Sequence, residues 1–417
     1  MIRKAMAPAL VLAYLLMGCN SSGTTEPMPN PHADPKAKAV LAALTASDKD
    51  VLKSDNGFGF RLFAKLAEGD AGGNIVVSPL SISIALTMAY NGAHAGTETA
   101  MAKVLGYQGF DRSGVNALYA KLIPALLGAD PFVEFQIANS IWSAPGLDPE
   151  PDFLALNQAT FDAETRTLDF SNPTAAATLN AWAKEKTRGL IPEIASSPLD
   201  PSLVMVLMNA LYFKGAWSTP FDPAKTWDGD FHLADGSVKT CRMMSSDSAS
   251  RYFTDGKVKG LELPYGDSLF SMVLLQPTAP DGMSALIQAL QGGAWDGYVA
   301  RFAPAHGPIF LPKFKLEYKQ SLGDCLSALG MGVAFGDGAD FTGIRKAGGL
   351  RISEVIHKTL IKVDEKGTEA AAVTQVGIVD TAAELDLIRF DRPFVFAIRE
   401  KSSGAVLFLG RIMDPTL

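Results

Sequence analysis

The chain has 417 residues, 47% of them hydrophobic and 19% charged, and no polar linker interrupts it after the N-terminal segment, which suits one large domain with a sizeable core. Lys and Arg number 37 against 44 Asp and Glu, a net charge of -7, and no basic run occurs, so a nucleic-acid partner is not expected. Cys19, Cys241 and Cys325 are too few and too scattered for a disulfide framework or a metal site.

Residues 1–18 carry Arg3 and Lys4 and then an apolar run from Ala5 to Met17, the layout of a secretory signal peptide and too short to span a bilayer comfortably. The run ends Leu16-Met17-Gly18-Cys19, which resembles the bacterial lipobox. That likeness implies cleavage before Cys19, lipid on its thiol, and a membrane-anchored protein of the cell envelope, on an outer-membrane, periplasmic or cell-surface face. The alternative is an ordinary secretion signal with an incidental cysteine. Residues 20–36, rich in Ser, Thr and Pro, read as an extended tether. Residues 37–46 suit a short extra helix, and regular structure is expected from about Ser54, where Phe58, Leu62, Phe63 and Leu66 follow helical spacing. The expected division is therefore a signal peptide at 1–18, a lipidated cysteine, tether and extension at 19–53, and one domain at 54–417.

Ser78-Pro79 opens a helix, with Ser as N-cap, Pro in the first turn and Ile82, Ala85, Leu86 and Ala89 on one face. A second helix is predicted at 175–186. The nearly unbroken apolar run at 203–213 reads as a central strand covered on both faces, as does 270–275. Phe314, Leu316 and Tyr318 alternate with Lys313, Lys315 and Glu317, the period of a half-exposed strand. Segments 394–398 and 405–409 read as a closing hairpin. The fold class is α+β. The chain contains no G-x-S-x-G, H-E-x-x-H, Walker loop or paired C-x-x-C, and of its five histidines only His357 lies in a segment expected to be buried. No enzymatic activity, catalytic residue, metal or cofactor is expected.

Four blocks carry a family resemblance: NIVVSPLS at 74–81 and the helix after it; NALYFKGAW at 209–217, with Phe221 and Thr226 behind it; ISEVIHKTLIKVDEKGTEAAAVT at 352–374; and FDRPFVFAIREKSSGAVLFLGRIMDP at 390–415. Together they resemble the serpins, the serine protease inhibitor family, over roughly residues 54–417. The resemblance implies a serpin fold with three β-sheets, A, B and C, about eight to nine helices, and an exposed reactive-centre loop from Gly367 to about Leu387. It also implies a monomeric suicide substrate. A serine or cysteine protease attacks the loop and forms an acyl-enzyme, and the cleaved loop enters sheet A before the ester is hydrolysed, which leaves a covalent complex.

By the same resemblance, Glu365, Gly367, Thr368, Glu369, Ala370, Ala371, Ala372 and Thr374 form the hinge. Ser78, Ser81, Asn209 and His357 form a polar shutter under the opening strands. Trp217, Thr226, Lys313 and Glu365 form the breach, with Lys313 and Glu365 expected to pair. The residues of the loop support insertion in their own right. As a strand from Thr368, it would turn Thr368, Ala370, Ala372, Thr374, Val376 and Ile378 inward, all uncharged, and leave Glu369 on the outer face.

Counting forward from Glu365 places the scissile bond at Thr381-Ala382, and counting back from Pro393 points to Ala382. These small side chains suit elastase-like or subtilisin-like proteases, whereas cleavage after Asp380 would suit an enzyme with a cationic pocket. The segment after Tyr107 carries few basic residues, so no glycosaminoglycan site is expected, and Cys241 and Cys325 read as buried free thiols. The rival reading is a non-inhibitory serpin acting as a binding or chaperone-like protein. Such members usually carry proline, charge or bulk at inward hinge positions, and this sequence departs only mildly, with Val373 on the outward face and Gly377 in the strand.

Overall fold

A computed structural model describes residues 30, 33–247, 250–368 and 387–417. Ten α-helices and three sheets, of six, seven and four strands, make up the described residues.

The seven-stranded sheet holds the centre of the core. Its strands Phe270–Pro277, Phe394–Glu400 and Val406–Ile412 are buried at every position, as strands covered on both faces must be. The expected closing hairpin is present and longer than read. Its turn is fixed by the Glu400 carboxylate, which accepts from the backbone N–H of Ser402 and Ser403 at 2.6 Å each.

The six-stranded sheet runs in the order Phe314–Ser321, Ile356–Asp364, Gly367–Thr368, Met205–Ala216, Val133–Ser143, Glu164–Thr167. Phe314 and Leu316 point into the core and Lys315 and Glu317 to solvent, as their alternation predicts. The strand expected at 203–213 spans Met205–Ala216, and its coverage is less even than the apolar run suggests. Met208 and Ala210 are buried together with Leu179 and Trp182 of the helix Ala175–Lys186, while Leu207 and Leu211 remain half-exposed.

The helix Pro79–Tyr90 lies between this sheet and the seven-stranded one, apolar on all sides and almost wholly buried. Ser78 caps it, its hydroxyl accepting from the Ser81 N–H at 3.2 Å. The short extra helix expected at 37–46 is present as Pro35–Ala42, starting on its proline behind the Asp34 cap. The next helix, Ala46–Gly69, begins earlier than the expected Ser54, from a reciprocal Thr45/Asp48 capping box. Its first turn is too polar to show helical periodicity.

Candidate functional site

The strand Ile356–Asp364 ends in a turn at Glu365 and Lys366, and the chain comes back as Gly367–Thr368 between that strand and Met205–Ala216, antiparallel to both. Thr368 faces Val363 on one side and Gly215 on the other; Gly367 faces Asp364 and Ala216. Gly367 has φ of 147°, and a Cβ there would stand 2.0 Å from the Gly215 carbonyl oxygen, so only glycine fits. Thr368, read from sequence as part of an exposed loop beginning at Gly367, is instead 2% exposed. Its hydroxyl lies 2.6 Å from that of Tyr265. The hinge has thus already taken two residues into the sheet.

A dense set of bonds pins the turn. The Trp217 backbone N–H donates to the Lys366 carbonyl and its indole Nε1 to that of Asp364, both at 2.9 Å. The Phe221 N–H donates to the Glu365 carbonyl at 2.7 Å. The Glu365 carboxylate accepts from Thr226 Oγ1 at 2.8 Å and from Lys313 Nζ at 3.0 Å on one oxygen, with 2.7 Å from Lys313 to the other. Burial works against that charge, but Lys313 and Thr226 outweigh it and hold the carboxyl below the usual glutamate range. Trp217, Thr226, Lys313 and Glu365 therefore meet as the sequence predicted.

Below the hinge, the strands Ile356–Asp364 and Met205–Ala216 pair with each other nowhere among the described residues, and one helix N-terminus holds both. The Ser78 N–H donates to His357 Nε2 at 3.1 Å, and the Thr359 hydroxyl bonds the same nitrogen at 2.5 Å. Nε2 accepts, so the ring proton sits on Nδ1; burial drops the His357 pKa to about 4 and keeps the ring neutral. On the other strand, Ser81 Oγ donates to Asn209 Oδ1. Asn209 Nδ2 donates to Asn139 Oδ1 at 2.7 Å, and Asn139 Nδ2 to the Phe161 carbonyl at 2.7 Å. Each serine grips one strand. Ser78, Ser81, Asn209 and His357 converge as expected, whereas Thr359, Asn139 and Tyr265 were missed.

Glu369, Ala370, Ala371, Ala372 and Thr374 of the hinge, Thr381 and Ala382 of the reactive bond, and Cys19 lie outside the described residues. Among those described, no group of three metal-ligating side chains gathers and no helix is long and apolar enough to cross a membrane. Cys241 and Cys325 are free, Cys241 buried and Cys325 half-buried, and burial pushes the Cys241 thiol up to about 11. The arrangement is a two-residue strand lying between two longer strands that are otherwise bridged through one helix N-terminus.

Comparisons with known proteins agree with this geometry. The family model described as serpin (serine protease inhibitor) matches residues 53–415. The leukocyte elastase inhibitor of Bos taurus is 37% identical over 372 residues, covering 86% of this chain and 97% of that protein. Among solved structures, the thermophilic serpin tengpin in its native state superposes with a TM-score of 0.79 at 31% identity, covering 87% of this chain and 94% of that one. A thyroxine-binding globulin in complex with thyroxine gives 0.80 at 28% identity, covering 87% and 99%. Sequence blocks, sheet order and hinge geometry thus converge on one conclusion: the chain belongs to the serpin family and has its three-sheet fold.

Proposed function

We propose that the protein inhibits serine endopeptidases as a suicide substrate, trapping the acyl-enzyme by inserting its cleaved loop into the six-stranded sheet. The observation that carries this reading is the pairing of Gly367 and Thr368 between Ile356–Asp364 and Met205–Ala216. It sets both register and face. Thr368 shares its face with the buried Val363, and alternation continues along Ile361, Thr359 and His357, all buried. A strand growing from Thr368 would bring Ala370, Ala372 and Thr374 to that same side, the uncharged set read from sequence. About a dozen new ladder positions, each worth a net of about 1 kcal/mol, supply on the order of 10 kcal/mol to drive the step. The protein contributes bait and a sheet that can open, with no catalytic residue of its own. Thr381-Ala382 is the proposed scissile bond, and elastase-like or subtilisin-like proteases are the proposed targets. Lipid on Cys19 would hold the inhibitor at the cell envelope, and mass analysis of the mature N-terminus tests that part.

The deciding experiment mixes the protein with elastase, subtilisin and trypsin, resolves the products on denaturing gels and weighs the released C-terminal peptide. A denaturant-stable complex with a peptide beginning at Ala382 is expected. Thr368→Arg should be cleaved without forming complex, because a charge would have to be buried. Cleavage of the unaltered protein without complex or gain in heat stability would replace the inhibitor by the non-inhibitory, ligand- or protein-binding reading.

A further inference from the structure

Tyr265 ends the strand Val258–Tyr265 of the seven-stranded sheet, yet its hydroxyl reaches the other sheet and bonds Thr368. Its ring is held on several sides. It stacks on Trp217 with centroids 4.4 Å apart and planes 10° from parallel, and it meets Phe213 edge-on at 5.3 Å. Gly215 lies alongside: a Cβ there would come within 2.9 Å of the Tyr265 ring, so the missing side chain lets the phenol lie against the strand. The next N–H, that of Gly266, donates to the Ala216 carbonyl at 2.9 Å. Both ring and hydroxyl are fully buried, and among the described residues the only side-chain partner of either hydroxyl is the other.

This geometry points to Tyr265 as a positioning residue that latches the first loop residue in the sheet and so sets how often cleavage ends in a trapped protease. The inference rests on the inhibitor reading above. Starting a new strand fixes several backbone angles for few bonds, and each later residue adds its bonds at less cost. A loop whose first rung is already in place skips that start. Loss of either hydroxyl leaves its partner buried and unpaired, so the rung is favoured less and insertion loses ground to hydrolysis. Loss of both leaves nothing unpaired and costs much less. The pair is therefore distinguishable from ordinary packing by its non-additivity.

The test compares full-length Tyr265→Phe, Thr368→Val and the double variant with the unaltered chain, Thr368→Ser serving as the variant that keeps the hydroxyl. Two readouts are taken: amide hydrogen exchange at Gly367 and Thr368 in the uncleaved protein, and the moles of inhibitor consumed per mole of elastase inhibited. Each single variant should exchange about tenfold faster and consume several-fold more inhibitor, with Thr368→Ser close to the unaltered chain and the double variant milder than either single change. Tyr265→Phe keeps the ring and Thr368→Val the side-chain shape, so either can decide if the other folds poorly. Unchanged exchange and stoichiometry in the single variants, or additive defects in the double variant, would overturn the latch. Absence of any complex from the unaltered protein removes the inhibitor reading, while the exchange comparison still decides whether Tyr265 holds Thr368.

Discussion

Lys313 and Glu365, on neighbouring elements at the top of the six-stranded sheet, form a two-pronged ion pair of 2.7 and 3.0 Å that shares its carboxylate with Thr226. Glu365 is 10% exposed at its side chain and Lys313 34%, so the pair lies between a surface bridge and a buried one. Lys313→Met should therefore cost the native state on the order of 1–3 kcal/mol, above the surface value because a buried carboxylate loses its cation. Thermal unfolding reads the loss, and native gels should show more self-association as the turn lets go. The pair also carries a pH dependence. The folded pKa of Glu365 is depressed, so its contribution is complete above the ordinary glutamate pKa and is lost as pH falls through the lower folded value. Acid should loosen the hinge in the unaltered protein and do so less in Lys313→Met.

Gly367→Ala tests the return of the chain into the sheet. The new methyl would collide with the Gly215 carbonyl and force a positive φ on an L-residue, a strain on the order of 1–3 kcal/mol or more. The expected outcome is a protein that folds and is cleaved by elastase but forms little covalent complex. Full complex formation would mean that the sheet can accept the hinge by another path.

In the shutter, Asn209→Ala removes the acceptor of Ser81 and the donor to Asn139, two bonds that tie the strand Met205–Ala216 to its surroundings. A loss of about 1–3 kcal/mol is expected for the polar groups left behind, seen as a lower unfolding midpoint. His357 adds a second acid limit. Its pKa is about 4 in the folded protein and near 6.5 when unfolded, so between these values the unfolded chain binds more protons and stability falls as pH falls. His357→Gln should flatten that part of the pH profile.

What the sequence made legible, and what it hid, follows from the range of the interactions. The alternation of Phe314, Leu316 and Tyr318 with charged residues, and the Ser78-Pro79 start of a helix, are local patterns with one physical solution, and the structure has them. The family resemblance implied Lys313 beside Glu365 although 52 residues separate them. Tyr265 and Thr368 are 103 residues apart, and nothing local to Tyr265 marks its hydroxyl as a partner of the hinge. The run of small residues from Thr368 says that the segment can become a strand. It does not say that Thr368 has done so before cleavage, because that depends on Gly215, Gly367 and Tyr265 meeting in space.

Asp55 acts in the opposite sense to His357, its contribution to stability being lost as pH rises. Its carboxylate is fully buried in the helix Ala46–Gly69 and accepts from the hydroxyls of Tyr119 at 2.7 Å and Tyr107 at 2.9 Å. Those hydroxyls are 3.0 Å from each other, and Thr87 Oγ1 is 2.9 Å from Tyr107. Among the described residues no cation pairs with Asp55. Burial therefore prevails over the tyrosine hydrogen bonds and pushes its pKa up to about 7. In the unfolded chain the group returns to about 3.8. Between these values the native state holds a proton that the unfolded chain has lost, so stability is full below the unfolded pKa and drains away as pH rises through 7. Asp55→Asn should abolish that decline. At pH 8.5 the variant should be more stable by about 2–4 kcal/mol, and near pH 4 the two proteins should differ little. Denaturant unfolding of the uncleaved protein at both pH values checks this. An equal shift at the two would mean that the asparagine acts through packing and not through the buried charge.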